Sequence, residues 1–167
     1  MKTCFMGLGY IGLPTAIIAA KHGIKVTGVD INPSVVELTN QGKLHIVEPG
    51  LEAYLQEVVK TGNLKASLKP EACEAYFMVV PTPFKENHEP DISYVEAATR
   101  SVLPLLKAGD LYVIESTSPI GTTEKMRDLI YGERPELKDK IYIAYCPERV
   151  LPGNVIYELV HNDRVIG

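Results

Sequence analysis

The residues able to do chemistry in this sequence fall in two short stretches and two isolated threonines. The first stretch, GLGYIG, sets Gly7, Gly9 and Gly12 in a GxGxxG pattern directly after a short apolar run. In such a turn the first glycine allows the tight bend. The second lets a pyrophosphate approach the backbone, and the third lets the following helix pack against the strand. The helix N-terminus then offers free amides and the positive end of its dipole to phosphate. Asp30 lies 18 residues after Gly12, at the end of IKVTGVD. There a carboxylate can hydrogen-bond the adenosine ribose hydroxyls, and it would repel the extra phosphate of NADP. No arginine follows closely, so NAD is the expected cofactor. The plain alternative is a tight turn with Asp30 capping the next helix; strand, turn, helix, strand and acid in that order argue against it.

The second stretch is CPERVLPG. Cys146 would be a nucleophile if a nearby cation lowered its pKa, and Arg149 is close in sequence. It nevertheless continues an apolar run, and free cysteine is among the most buried residue types, so it reads as a core thiol. Glu148 fits either of two roles: an acid supporting proton transfer, or the partner of Arg149 or a lysine in an ion pair that holds the loop. Thr82 in VPTPF and Thr117 in ESTSPIGTT stand where strands end. Their hydroxyls could reach the nicotinamide half of a dinucleotide or simply cap turns beside proline, and the residue types leave both open. Cys4 reads as core, and Cys73 carries no signal. His22, His45, His88 and His161 have no metal-ligand spacing, so no metal is expected.

These groups need a scaffold, and the apolar pattern supplies one. Strands are predicted at residues 3–7, 24–30, 75–80, 111–116 and 141–146, with a possible short one at 64–67. Helices are predicted at 13–21, 33–40, from 51 to a stop at Gly62, 93–106 and 122–131. Pro33 suits a first helical turn, and Ser93 with Glu96 has the form of a capping box. Strands alternating with helices imply βαβ units. The strands are nearly continuously apolar, as when both sheet faces are covered. The expected fold is α/β: a doubly wound (Rossmann), mostly parallel sheet of about six strands with helices on both faces.

Composition narrows the function. The chain has 167 residues, enough for one domain, and is 46% hydrophobic and 23% charged, which excludes disorder. A net charge of −4 argues against nucleic-acid or acidic-membrane partners. Three widely spaced cysteines suggest neither a disulfide framework nor zinc, and point to the reducing cytoplasm. The first twenty residues superficially resemble a secretion signal, but three glycines and a proline interrupt their apolar stretch.

GLGYIGLPTA, VDIN, HIVEPGL, VPTPF with HEPDISYVEAA, ESTSPIGTTEKM and CPERVLPGN followed by NDRVIG occur in this order. Together they resemble the UDP-glucose/GDP-mannose dehydrogenase family over essentially the whole chain. The resemblance implies oxidation of a nucleotide-sugar C6 alcohol to a carboxylate in two NAD-dependent steps, through a thiohemiacetal and a thioester on cysteine. It implies that Tyr10, Ile11, Asp30, Thr82 and Thr117 contact NAD, and that Arg149 and Val150 contact the UDP-sugar. Glu148 would assist the water that attacks the thioester. UDP-glucose members read closer to PEFLREG where this chain has CPERVLPG, which resembles the N-acetylhexosamine branch and lacks an acid at Pro152. The family's nucleophilic cysteine, and the lysine and asparagine beside it, lie in regions that follow this domain. Residues 1–167 are thus expected to form the amino-terminal NAD-binding domain, without the central helical and C-terminal UDP-binding domains. Alone it should bind NAD weakly and turn over nothing, the full-length enzyme being a homodimer through its central helices. A non-catalytic nucleotide sensor would need no substrate-facing strand ends, and a methyltransferase is disfavoured because no acid precedes GLGYIG.

Overall fold

A computed structural model describes all of residues 1–167. Six strands form one sheet: β1 (Lys2–Met6), β2 (Lys25–Val29), β3 (Leu64–Ser67), β4 (Ala75–Met78), β5 (Leu111–Ile114) and β6 (Tyr142–Tyr145). Their order is β3-β2-β1-β4-β5-β6, and every pairing is parallel. The sheet is therefore wholly, not mostly, parallel. The order reverses between β1 and β4, and at such a switch point the connections diverge to opposite faces and leave a crevice at the carboxyl ends of the strands.

The helices are α1 (Gly12–Lys21), α2 (Pro33–Asn40), α3 (Leu51–Lys60), α4 (Ser93–Val102), α5 (Thr122–Glu133) and α6 (Val155–His161). One core, including Tyr76, Met78, Val102, Tyr112, Ile114 and Ile130, lies between the sheet and α4 and α5. The other, including Phe5, Leu13, Ile17, Leu55 and Val58, lies between the sheet and α1 and α3. Phe5 and Phe77 stack across the β1–β4 pair with ring centroids 4.7 Å apart. Covering both faces explains why the strands lack polar alternation.

Local chemistry overrode the pattern in three places. No capping box forms at α4: Asp91 accepts a hydrogen bond from the Ser93 amide at 2.9 Å, and Glu96 instead pairs with Arg100 one turn on. The Asp91 carboxylate satisfies the Ser93 amide that the Glu96 side chain would have had to reach, and the Glu96 amide donates to the Ile92 carbonyl at 3.0 Å instead of to the Ser93 hydroxyl. The helix predicted to 106 stops at Val102 and tightens into a 3-10 turn at Leu103–Leu105, because Pro104 has no amide to continue the ladder. Helix α6 was not anticipated; its seven residues are too few to show a period. Pro33 does open α2, with Asn32 as the cap, its side chain accepting from the Ser34 amide at 3.0 Å.

Candidate cofactor site

The glycine turn is defined by what a side chain would strike. A Cβ on Gly7 would lie 2.4 Å from the Val79 carbonyl oxygen, and one on Gly12 would lie 2.0 Å from the Gly7 carbonyl oxygen. Gly7 also has φ +103°, in the region that favours glycine. These two positions bring the loop, α1 and β4 into backbone contact. Gly9 differs: a Cβ there would meet nothing within 4 Å, so its bare backbone faces open space at the cavity wall. The amides of Gly9, Tyr10 and Ile11 donate to no protein acceptor, as expected of groups ahead of a helix. A cradle of free amides beside a glycine with open space fits the diphosphate of a dinucleotide.

Asp30 does more than the sequence suggested. One carboxylate oxygen accepts from the Leu8 amide at 3.0 Å and the other from the Asn32 amide at 2.9 Å. The acid therefore ties the glycine loop to the end of β2 and does not cap α2. Leu8 is wholly buried, and its side chain fills the space above Gly28, where a Cβ would lie 2.6 Å from the leucine methyl. A carboxylate has about four acceptor positions, so two remain for a ligand's hydroxyls.

One cavity of about 560 Å³ runs along the carboxyl ends of the strands. At one end are Gly9, Tyr10, Ile11 and Asp30, with Ile31, Leu68 and Pro70; at the other are Thr82, Ser116, Thr117, Glu115 and Glu148. It is the crevice that the β1–β4 reversal predicts. A hollow at the amino-terminal edge of the sheet is lined by Lys2, Lys25, Lys65 and Glu74, on the side away from every strand end named above.

The far end is built from crosslinks between strand ends. The Thr82 hydroxyl donates to the Thr117 carbonyl at 2.6 Å, and the Ser116 hydroxyl donates to the Val80 carbonyl at 2.7 Å. Thr82 thus joins two loops instead of capping its own turn, while Thr117 is exposed. Arg149 and Val150 are not brought to this cavity. Arg149 is exposed, and its guanidinium donates to the Asp163 carbonyl at 3.0 Å. Cys146 is half-buried just past β6, not within a buried strand, and does not line the cavity. The cation near its sulfur is Arg164, at 3.8 Å, not Arg149.

Sequence reasoning missed three residues. Arg164 pairs with both Glu115 and Glu148. Burial pushes the Glu115 carboxyl above its ordinary range, with Arg164 opposing the rise. Glu148 is ion-paired as one of its two readings foresaw, but with neither of the partners expected. Its other oxygen accepts from the Arg149 amide at 2.7 Å. Buried Glu48 accepts from the Gly153 amide at 2.8 Å and the Val155 amide at 2.9 Å, capping α6 from 107 residues away. Charged residues within apolar motifs (ESTS, HIVEPGL, NDRVIG) were the available signal. Glu48→Gln replaces one acceptor oxygen with a donor, so one buried amide is left unpaired. Unfolding in urea should show a loss of about 1–3 kcal/mol, with NAD affinity unchanged because Glu48 does not line the cavity; an unmoved midpoint would refute the bracing role.

Comparisons with known proteins identify the domain as a whole. The family model described as "UDP-glucose/GDP-mannose dehydrogenase family, NAD binding domain" matches residues 1–167. The UDP-N-acetyl-D-mannosamine dehydrogenase of Campylobacter jejuni is 53% identical over 99% of this chain and 43% of its own length. The NDP-N-acetyl-D-galactosaminuronic acid dehydrogenase of Ralstonia nicotianae is 51% identical over 97% of this chain and 40% of its own. Among solved structures, the UDP-N-acetyl-mannosamine dehydrogenase of Staphylococcus aureus superposes with a TM-score of 0.95 at 44% identity, covering 100% of this chain and 41% of that one. The chain thus spans about two fifths of the length of the relatives it matches.

Proposed function

The chain belongs to the UDP-glucose/GDP-mannose dehydrogenase family as its NAD-binding domain, and from that premise we propose that it serves a UDP-N-acetyl-D-mannosamine 6-dehydrogenase, which oxidises the sugar C6 alcohol to a carboxylate in two NAD-dependent steps. The observation that carries this reading is the single cavity joining the glycine loop and Asp30 to Thr82, Thr117 and Glu148. It runs from the residues assigned to the adenosine half of a dinucleotide to those assigned to the nicotinamide half, and ends on an acid. The N-acetylated sugars named for relatives at 51–53% identity favour an N-acetylhexosamine over glucose.

In this reading the free amides of Gly9, Tyr10 and Ile11 hold the diphosphate, with Gly7 and Gly12 shaping the turn, and Asp30 takes the adenosine ribose hydroxyls. Thr82 and Thr117 orient the nicotinamide half. Bound NAD supplies the hydride acceptor, and the protein supplies orientation. Glu148, held as an ion-paired carboxylate, supports proton movement at the sugar carbon, while Arg149 and Val150, outside the cavity lining, contact the rest of the UDP-sugar. The resemblance puts the nucleophilic cysteine, and the contacts of a homodimer, in segments beyond these residues. No helix here is long and apolar enough to cross a membrane. We place the enzyme in the cytoplasm, making a sugar acid for polysaccharide synthesis.

Calorimetric titration of this chain with NAD and NADP tests the cofactor assignment. NAD should bind, NADP should bind at least ~10-fold more weakly because a carboxylate meets its phosphate, and Asp30→Ala should weaken NAD and narrow that gap. Equal affinity for the two dinucleotides would remove Asp30 from the ribose site. For the substrate, the full-length enzyme should prefer UDP-N-acetyl-D-mannosamine over UDP-N-acetylglucosamine and UDP-glucose by kcat/KM.

A further inference from the structure

We propose that Arg164 is the positioning residue that sets Glu148 at the end of the cavity. The inference rests on the role assigned to Glu148 above and deepens it. The Arg164 guanidinium reaches between two strand ends: one nitrogen donates to a Glu115 oxygen at 2.9 Å, beyond β5, and the other to Glu148, beyond β6. The Glu115 side chain is 1% exposed, that of Glu148 is 3% and that of Arg164 is 26%. Arg164 is the cation paired with each acid. Its planar fork offers separate nitrogens in a fixed geometry, so the two carboxylates are held at a set spacing; a lysine ammonium is a single point on a flexible stem.

Arg164 does not line the cavity, whereas both acids do. Its direct link to that cavity runs through them. The segment carrying it is itself anchored beside Glu148. Tyr145 and Gly167 exchange both backbone hydrogen bonds, at 2.7 and 3.0 Å, an antiparallel pairing along the edge of β6. The Arg149 guanidinium holds the Asp163 carbonyl next to Arg164. The second Glu115 oxygen is buried with no hydrogen-bond partner, so its one partnered oxygen depends on Arg164. Without the guanidinium, two buried acids would face each other with no cation, and Glu148 would retain only the Arg149 amide.

The test is a double-mutant cycle in the full-length dehydrogenase, with Arg164→Met, Arg164→Lys, Glu148→Gln and the combinations. Arg164→Met should lower kcat ~10- to 100-fold while the KM for NAD moves less than ~3-fold, the pattern of a misplaced group. Arg164→Lys should recover only part of the loss. In the Glu148→Gln background either Arg164 substitution should cost no more than ~2-fold, because the group it positions is gone. Losses that multiply across the cycle, or a fall in melting temperature with kcat unchanged, would overturn the proposal. If Arg164→Met does not fold, the Arg164→Lys arm of the cycle decides by the same criterion. Full activity in Glu148→Gln alone overturns the role given to Glu148, and this one with it. An impaired Glu148→Gln combined with multiplying Arg164 losses overturns only the role of Arg164.

Discussion

Gly12→Ala should abolish NAD binding by destroying the turn, and Gly9→Ala should weaken it at least ~10-fold while leaving the fold intact. The contrast follows from what each new methyl group meets. At Gly12 the Cβ would sit 2.0 Å from the Gly7 carbonyl oxygen and 3.0 Å from its carbon, both backbone atoms. Gly7 cannot retreat: its amide donates to the Val29 carbonyl at 2.7 Å, and its own Cβ position abuts the Val79 carbonyl. Overpacking of a closed site costs about 1–3 kcal/mol and more when backbone must move; a domain of this size loses about 2–4 °C per kcal/mol, so the melting temperature of Gly12→Ala should fall by about 6 °C or more. At Gly9 nothing lies within 4 Å, so the melting temperature should stay within about 2 °C of the parent. The methyl would nevertheless stand where a diphosphate must approach the amides of Tyr10 and Ile11, and NAD affinity should drop at least ~10-fold. Melting curves and NAD titrations of the two variants check this directly. Normal NAD binding by Gly9→Ala would mean that the phosphates lie elsewhere.

Glu148→Gln in the full-length enzyme should lower kcat by about 10²- to 10⁴-fold, the range for a group that assists proton transfer, with little change in the KM for NAD. Glutamine keeps the shape but loses the charge, and its amide nitrogen would face either the Arg149 amide or the Arg164 guanidinium, donor against donor. If Glu148 assists hydrolysis of a cysteine-bound intermediate, as the resemblance implies, intact mass should reveal a covalent adduct accumulating during turnover. Wild-type turnover without adduct would return Glu148 to a purely structural ion pair with Arg164.

Much of the site was legible because its parts are local. The glycine spacing, the apolar run before it and the helix after it sit within one βα turn, and backbone sterics alone require glycine at Gly7 and Gly12. Asp30 was legible as a strand-end acid, but its bond to the Leu8 amide was not: that requires the loop and β2 to lie side by side. Thr82 and Thr117 could be placed at strand ends, yet only the β4–β5 pairing shows that one hydroxyl closes on the other residue's carbonyl. Cys146 shows the limit of strand patterning. An apolar run predicts burial, but β6 is the sheet's edge strand, so the residue beyond it is only half covered.

Sequence alone determined the alternation of strands and helices, the nucleotide turn, the acid at the end of β2 and the family, because each is written in spacings of a few residues or in motifs kept in order. Tertiary structure alone decided which charges face one another. Arg164 lies 49 residues from Glu115 and 16 from Glu148, and Glu48 lies 105 residues from Gly153. No periodicity encodes such pairs. They exist because parallel crossovers carry distant strand ends to one rim, where a buried carboxylate must find a donor or a cation.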